Sequence, residues 1–265
     1  MSGAVFDIHD GPRAGAETVI LSSGLGGVAG YWKPQLRALG EHYRVVVYDQ
    51  AGTGRNKRDL PGDYTIETMA DEVLSVLDDS RTETAHFVGH ALGGLVGLAL
   101  AKRRQDRLKS LTIVNGWAAA PAHTRRCFEV RLLLLEHGGP EAYVRAQPIF
   151  LYPADWLMGN EARVAEEEVH GLAGFQGATN LRARIGALLA FDARSWLGEL
   201  AVPTLVVASR DDVLVPSTMS EALAEAIPGA TLHVAAWGAH AINMTEPAAF
   251  NSVLLGFLGA MAAGR

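Results

Sequence analysis

The stretch FVGHALGGL, residues Phe87–Leu95, decides how the rest of the chain is interpreted. A strand-like run leads into Gly89, and Gly93 follows four residues later, which is the spacing of a nucleophile elbow, G-x-S-x-G. In that motif a strand turns sharply into a helix and exposes the central side chain for chemistry. The central residue here is Ala91, whose methyl group cannot attack a substrate. The pattern therefore predicts the turn and excludes covalent catalysis at this position.

Short, continuously apolar segments lie on both sides of the elbow. Such runs are typical of strands buried on both faces of a parallel sheet. They predict strands at residues 18–22, 44–48, 86–88, 111–114, 204–208 and 231–235. Apolar residues at helical spacing predict helices between them, of which Thr65–Leu77 is the clearest.

The alternation of strands and helices breaks between residues 115 and 198, where several helical patterns occur and no strand signal is found. Alternation on both sides of an all-helical stretch is typical of a doubly wound α/β sheet with an insertion. We expect a mostly parallel sheet whose core comprises residues 1–114 and 199–265. Residues 115–198 are expected to form a helical lid inserted after the sixth strand.

Composition restricts the class of protein. The net charge of −6 over 265 residues argues against a nucleic-acid-binding surface. The single cysteine, Cys127, excludes an internal disulfide and every multi-cysteine zinc motif. The apolar runs are too short to span a bilayer, and the first residues lack the pattern of a secretory signal. We expect a soluble cytoplasmic protein that binds neither nucleic acid nor membrane.

Two further loops supply an acid and a base in the chain order of an α/β-hydrolase, after the elbow. The first, SRDDVLVP, contains Asp211 and Asp212, and we prefer Asp212 because it precedes Pro216 by four residues, as in a D-x-x-x-P loop. The second, WGAHAINMTEP, contains His240 in a pattern similar to H-x-x-x-x-E-x-P. Histidine suits a general base near neutral pH, and the aspartate would hold the ring's tautomer.

The segment SSGLGG after an early strand predicts an oxyanion hole. In the corresponding hydrolase pattern, H-G-x, the amide of the residue after the glycine faces the developing negative charge. Here Ser23 stands where histidine is usual, Gly24 follows, and the donor is the amide of Leu25. The second donor would be the amide of Leu92, directly after the elbow residue.

Two rival interpretations involve the same loops. The glycines at 24 and 26, with Asp49 ending the next strand, resemble a dinucleotide-binding unit, but Pro34 would fall inside the helix that such a unit needs. His90 with Asp212 and His240 would make a two-histidine, one-carboxylate metal set, although histidine is common at this elbow position. We expect no metal and no cofactor.

The chain resembles the α/β-hydrolases over its full length, and within them the aminoacrylate or carbamate hydrolases of the bacterial pyrimidine-utilisation (Rut) pathway. The resemblance rests on the segments YDQ, GHALG, NGW, HTRRCF, LYPADW and FQG, of which the lid segments HTRRCF and LYPADW are the specific part. It implies hydrolysis of a small labile product of uracil breakdown. The candidates are carbamate, giving ammonia and carbon dioxide, and 3-aminoacrylate, giving malonic semialdehyde and ammonia.

Both candidate substrates carry a carboxylate, which a guanidinium can bind with two parallel hydrogen bonds. Arg125 and Arg126 in the lid are therefore predicted to bind the substrate, together with Gly24 and Trp117. Because Ala91 is inert, we expect water near it to attack, with His240 as the base. The alternatives left open are a ligand-binding protein on a hydrolase scaffold, an engineered Ser→Ala form of an ordinary esterase, and cofactor-free oxygenase or lyase chemistry. A homodimer and the choice of substrate are also left open.

Overall fold

A seven-stranded sheet forms the centre of the molecule. The computed structural model describes residues 4–263. The strands are β1 (Phe6–His9), β2 (Thr18–Ser22), β3 (Arg44–Tyr48), β4 (Ala85–His90), β5 (Leu108–Val114), β6 (Thr204–Ser209) and β7 (Thr231–Ala235). Their order across the sheet is β1-β3-β2-β4-β5-β6-β7, with β1 antiparallel to β3 and every other neighbouring pair parallel. The mostly parallel α/β sheet predicted from the sequence is confirmed.

Helices connect the strands and cover both faces of the sheet. They are α1 (Lys33–Gly40), α2 (Ile66–Asp79), α3 (Leu92–Arg104), α4 (Ala122–Leu151), α5 (Ala154–Gly159), α6 (Glu161–Ala173), α7 (Ala178–Ala190), α8 (Ser217–Ala226), α9 (Ile242–Thr245) and α10 (Pro247–Ala263). Across residues 4–263, no helix combines the length and apolar character that crossing a membrane requires.

The start of α2 illustrates how local sequence determines these boundaries. Thr65 has extended backbone angles, and its Oγ1 accepts a hydrogen bond from the amide of Thr68 at 3.2 Å. This satisfies one of the amides that the first turn of a helix leaves without an intrahelical partner. The buried positions of α2, from Ile66 to Leu77, keep the helical spacing read from the sequence. The helix predicted over Thr65–Leu77 is therefore confirmed, with Thr65 as its cap.

Alternate residues of the buried strands enter two apolar clusters, one on each face of the sheet. On β2, Val19 and Leu21 belong to the cluster that packs on α10, whereas Ile20 belongs to the larger cluster that packs on α2 and α3. Successive side chains of a strand point to opposite faces, so a strand covered on both sides needs an unbroken apolar run. This requirement explains the continuous apolar segments in the sequence.

The helices α4 to α7 all lie between β5 and β6, and we call residues 115–198 the helical insertion. The sequence-based expectation that this segment follows the sixth strand was wrong, because it follows the fifth strand that the structure describes. Five strands precede the insertion along the described chain: β1, which is antiparallel to β3, and the parallel strands β2 to β5. Within α4 the helix is interrupted at Gly139, whose φ of 72° lies in the left-handed region.

Candidate functional site

The elbow has the backbone geometry of a nucleophile turn although its central residue is alanine. Ala91 lies between β4 and α3 with φ 48° and ψ −112°, a strained conformation for a residue other than glycine. A Cβ on Gly89 would lie 2.3 Å from the carbonyl oxygen of Gly93, and one on Gly93 would lie 2.3 Å from that of Ser22. Gly89 is therefore required because the first turn of α3 passes so close, and Gly93 because β2 does. The turn predicted from the sequence is present, with a methyl group at its tip.

His240 and Asp212 form a buried hydrogen-bonded pair beside the elbow. Nδ1 of His240 lies 2.7 Å from Oδ2 of Asp212, and neither residue is more than 5% exposed. The other carboxylate oxygen accepts hydrogen bonds from the amides of Leu214 and Val215, both at 2.8 Å. Asp211 instead accepts from the backbone amides of residues 238 and 239, in the loop that carries His240, which we call the histidine loop. The structure thus brings together Asp212 and His240, the two residues that the sequence singled out as acid and base.

Asn115 is a site residue that the sequence analysis missed. It directly follows β5 with φ 50°, and its Nδ2 donates hydrogen bonds to the carbonyl oxygens of Ala239, at 3.1 Å, and His240, at 2.6 Å. Its Oδ1 accepts from the amide of Ser209 at the end of β6. Asn115 therefore ties the histidine loop to two strand ends. A sequence signal was available, since asparagine directly after a buried strand tolerates left-handed backbone.

His90 supports the loop that carries His240. Its Nε2 lies 2.7 Å from the His240 carbonyl oxygen, which can only accept, so Nε2 carries the proton and Nδ1 is an acceptor. Burial, reinforced by the nearby His240 ring, lowers the pKa of His90 to about 3. Among residues 4–263, no group of three or more His, Cys, Asp or Glu side chains is placed to hold a metal ion.

The two residues predicted to supply oxyanion donors line the same cavity as the elbow. Leu25 and Leu92 both line it, and neither amide donates a hydrogen bond to another described residue. The Leu25 carbonyl is held by Nε2 of Gln176 at 3.2 Å and by Nη2 of Arg184 at 3.3 Å. Gln50 holds the preceding segment through the Ser23 carbonyl at 2.7 Å. The loop is therefore anchored around Leu25 by its carbonyl groups, while the amide of Leu25 stays available for a ligand.

A cavity of about 430 Å³ lies between these loops and the helical insertion. Its walls include Ala91 and His240 from the core and residues of α4 and α6 from the insertion. Gly24 and Trp117, both predicted to bind substrate, also line it. The indole Nε1 of Trp117 is buried and has no hydrogen-bond partner among the described residues.

The structure does not bring Arg125 and Arg126 to this cavity. Both side chains are exposed, and the Arg125 guanidinium donates to the carbonyls of Ala120 and Leu189 at the outer side of α4. The arginine that lines the cavity is Arg131, which is 4% exposed. The reason is helical phase: α4 buries positions 124, 128, 131 and 135, and residues 125 and 126 lie off that face. An arginine within an otherwise uncharged buried stripe is the signal that could have identified it.

The dinucleotide-binding interpretation fails at Asp49. Its carboxylate accepts hydrogen bonds from the amides of Ala29 and Arg55 and from the Arg55 side chain, at 2.7 to 2.9 Å. Asp49 therefore braces the glycine-rich loop rather than facing a ribose. Pro34 lies at the start of α1, where proline is tolerated, and the glycines precede that helix by several residues.

Comparison with known sequences agrees with this geometry. A family described as "alpha/beta hydrolase fold" matches residues 17–144. The chain is 52% identical over 259 residues to "Putative carbamate hydrolase RutD" of Variovorax paradoxus, covering 97% of each chain. It is 49% identical over 253 residues to the protein of the same name from Agrobacterium fabrum, covering 96% of this chain and 97% of the other.

Comparison with solved structures gives the same fold. The chain superposes on the enol-lactonase from Burkholderia xenovorans with a TM-score of 0.86 and 28% sequence identity. The superposition covers 96% of this chain and 95% of the lactonase. Because about half of its residues are identical to those of these relatives over nearly the full length, the chain belongs to the α/β-hydrolase superfamily and, within it, to the RutD carbamate hydrolase family.

Proposed function

We propose that the chain hydrolyses a C–N bond in a small labile acid late in uracil breakdown, without a covalent intermediate. The substrate is carbamate or 3-aminoacrylate, and the relatives' name supports a hydrolase of this kind. The observation that carries the proposal is the intact His240–Asp212 pair beside an elbow that presents only the methyl group of Ala91. Such a pair can activate a water molecule held where the serine of a nucleophile elbow would otherwise stand.

In the proposed reaction, His240 Nε2 takes a proton from a water molecule held near Ala91. Nδ1 is engaged by Asp212, so the ring keeps Nε2 as its basic atom, and the carboxylate stabilises the imidazolium that forms. The resulting hydroxide adds to the reacting carbon. Where that addition produces an oxyanion, the amides of Leu25 and Leu92 are its donors.

The proton then returns to the leaving nitrogen, and the C–N bond breaks to release ammonia. For carbamate the other product is bicarbonate, the hydrated form of carbon dioxide; for 3-aminoacrylate, water adds to its imine tautomer and malonic semialdehyde remains. Oxyanion stabilisation and binding alone retain roughly 10³–10⁴-fold acceleration in a serine protease that lacks a triad residue. An acceleration of that size is sufficient for substrates that already decompose in water.

The decisive experiment compares ammonia release from carbamate and from 3-aminoacrylate with and without protein at matched pH. The native chain is expected to accelerate one of them, and His240→Ala is expected to reduce the acceleration by about 10²–10⁴-fold. His9→Ala is the matched control, because His9 is exposed on β1, at the far edge of the sheet from β7. An unchanged rate in His240→Ala would contradict the mechanism. Tight binding of a ligand with no acceleration of either substrate would support a binding protein instead.

A further inference from the structure

Arg131 is a buried cation in the wall of the candidate site. Its side chain lies on the buried stripe of α4 and is only 4% exposed. It lines the same cavity as Ala91 and His240. Among the described residues that line this cavity, it is the only arginine or lysine. The helical insertion therefore contributes one fixed positive charge to the cavity that His240 also lines.

The protein leaves most of the hydrogen-bonding capacity of this guanidinium unused. Within residues 4–263, the guanidinium donates one hydrogen bond, from Nη2 to Oη of Tyr143 at 2.6 Å. Its Nε is buried without a partner, although a guanidinium has five N–H donors. Three rings pack around it, with the guanidinium carbon 4.9 Å from the Tyr143 ring centroid, 5.2 Å from that of Phe128 and 5.5 Å from that of Phe150.

No described carboxylate neutralises this charge. The ion pairs within residues 4–263 do not include Arg131. Glu167 also lines the cavity, but its carboxylate is bound by Tyr152 and Arg163. An unpaired buried charge is costly, and aromatic rings compensate only part of that cost. A cation retained in this state beside a cavity is suited to pairing with an anion that enters with the ligand.

We propose that Arg131 binds the carboxylate of the ligand and thereby orients it in the cavity. The inference rests on the proposed function for the identity of the ligand, but it adds the residue that recognises the acid group. A monoanionic carboxylate fits better than a phosphate, because a single arginine offers one charge and Glu167 and Glu168 line the same cavity. Arg131 takes the role that the sequence had suggested for Arg125 and Arg126.

The test uses two probes of equal size, propionate and propionamide, which differ in charge at one end. Binding of each to the full chain is measured by isothermal titration calorimetry at neutral pH. The native chain is expected to bind propionate about 10- to 100-fold more tightly than propionamide, as for hydrogen bonds to a charged group. Arg131→Met is expected to remove this preference. Arg145→Met is the control, because Arg145 is an exposed residue of α4 that pairs with Glu141 and does not line the cavity as described.

A second variant keeps the proposal testable if Arg131→Met does not fold. Arg131→Lys retains the charge but loses the planar fork, so propionate affinity should fall about tenfold while propionamide affinity stays constant. Equal binding of the two probes by the native chain, binding of neither, or a preference that survives in Arg131→Met would overturn the proposal. The measurement needs no turnover, so failure of the anion site and failure of the hydrolytic mechanism are observed separately.

Discussion

Acidification is expected to destabilise the fold through His90, a residue that touches the site without being the proposed base. Its ring is 4% exposed, and its Nε2 donates to the His240 carbonyl at 2.7 Å. Burial and the neighbouring His240 ring lower the pKa of His90 from 6.5 to about 3, against the opposing effect of the hydrogen bond to the carbonyl. Folded protein therefore keeps this ring neutral at pH values where the unfolded chain would bind a proton.

The direction of the effect follows from the protons that each state binds. Between pH 6.5 and about 3, the unfolded chain carries one more proton at His90 than the folded chain. The free energy of unfolding therefore falls as the pH falls, by about 1.4 kcal/mol per pH unit. The contribution of His90 to stability is fully present above pH 6.5. Its total loss reaches about 5 kcal/mol near pH 3. A loss of this size is comparable with the whole stability of a small protein, about 5–15 kcal/mol.

The assay is urea unfolding across this pH range for the native chain and for His90→Gln. Glutamine does not titrate and retains an N–H donor for the His240 carbonyl. Glu17, whose pKa is lowered to about 2 by the hydrogen bond from Lys109, also stabilises the fold less as the pH falls. That loss is common to both proteins, so it cancels in the difference between them.

The expected result is a difference in unfolding free energy that changes by about 1.4 kcal/mol per pH unit below pH 6.5, to the disadvantage of the native chain. A difference that stays constant over this range would refute the reasoning. It would mean that His90 binds its proton equally well in the folded and unfolded states, and that burial at the elbow does not keep it neutral.

Three substitutions test the geometry of the site. Ala91→Ser should produce esterase activity on p-nitrophenyl acetate and covalent labelling by a fluorophosphonate, because residue 91 has the strained φ of 48° and lines the cavity with His240. Absence of labelling would contradict the claim that the turn has the geometry of a nucleophile elbow. Asp212→Asn should reduce turnover by about 10²–10⁴-fold in a steady-state ammonia assay, with folding unchanged by circular dichroism. Gly93→Ala should lower the free energy of unfolding by about 1–3 kcal/mol, because its Cβ would lie 2.3 Å from a backbone oxygen of β2. Gly186→Ala is the control, because residue 186 is exposed in a helix and has open space around it. This substitution should raise the free energy of unfolding by about 0.5–1 kcal/mol. Equal changes in the two variants would contradict the packing argument.

Much of the fold could be predicted from the sequence because its signals are local. A strand covered on both faces must be apolar at every position, so β2, β3 and β6 were visible as unbroken runs. The elbow was equally visible, since only glycine fits at 89, against the first turn of α3, and at 93, against the end of β2. The order of the acid and base loops along the chain likewise identified Asp212 and His240 as candidates. Each of these depends on residue type and spacing alone.

The remaining features depend on contacts between segments that are distant in sequence. Which of the adjacent Asp211 and Asp212 contacts the histidine is decided by how two loops dock, and Asn115 acquires its role only when the end of β5 meets the His240 loop. The arginine that faces the cavity is decided by the rotation of α4 about its axis, which packing against the core determines. Residues 125 and 131 of one helix point to different sides. Helical spacing could have placed residue 131 on the buried stripe, but only the packing of α4 shows that this stripe meets the cavity. The sequence alone therefore determined the sheet, the elbow and the loops that carry Asp212 and His240, whereas only the tertiary structure decided which charge enters the site.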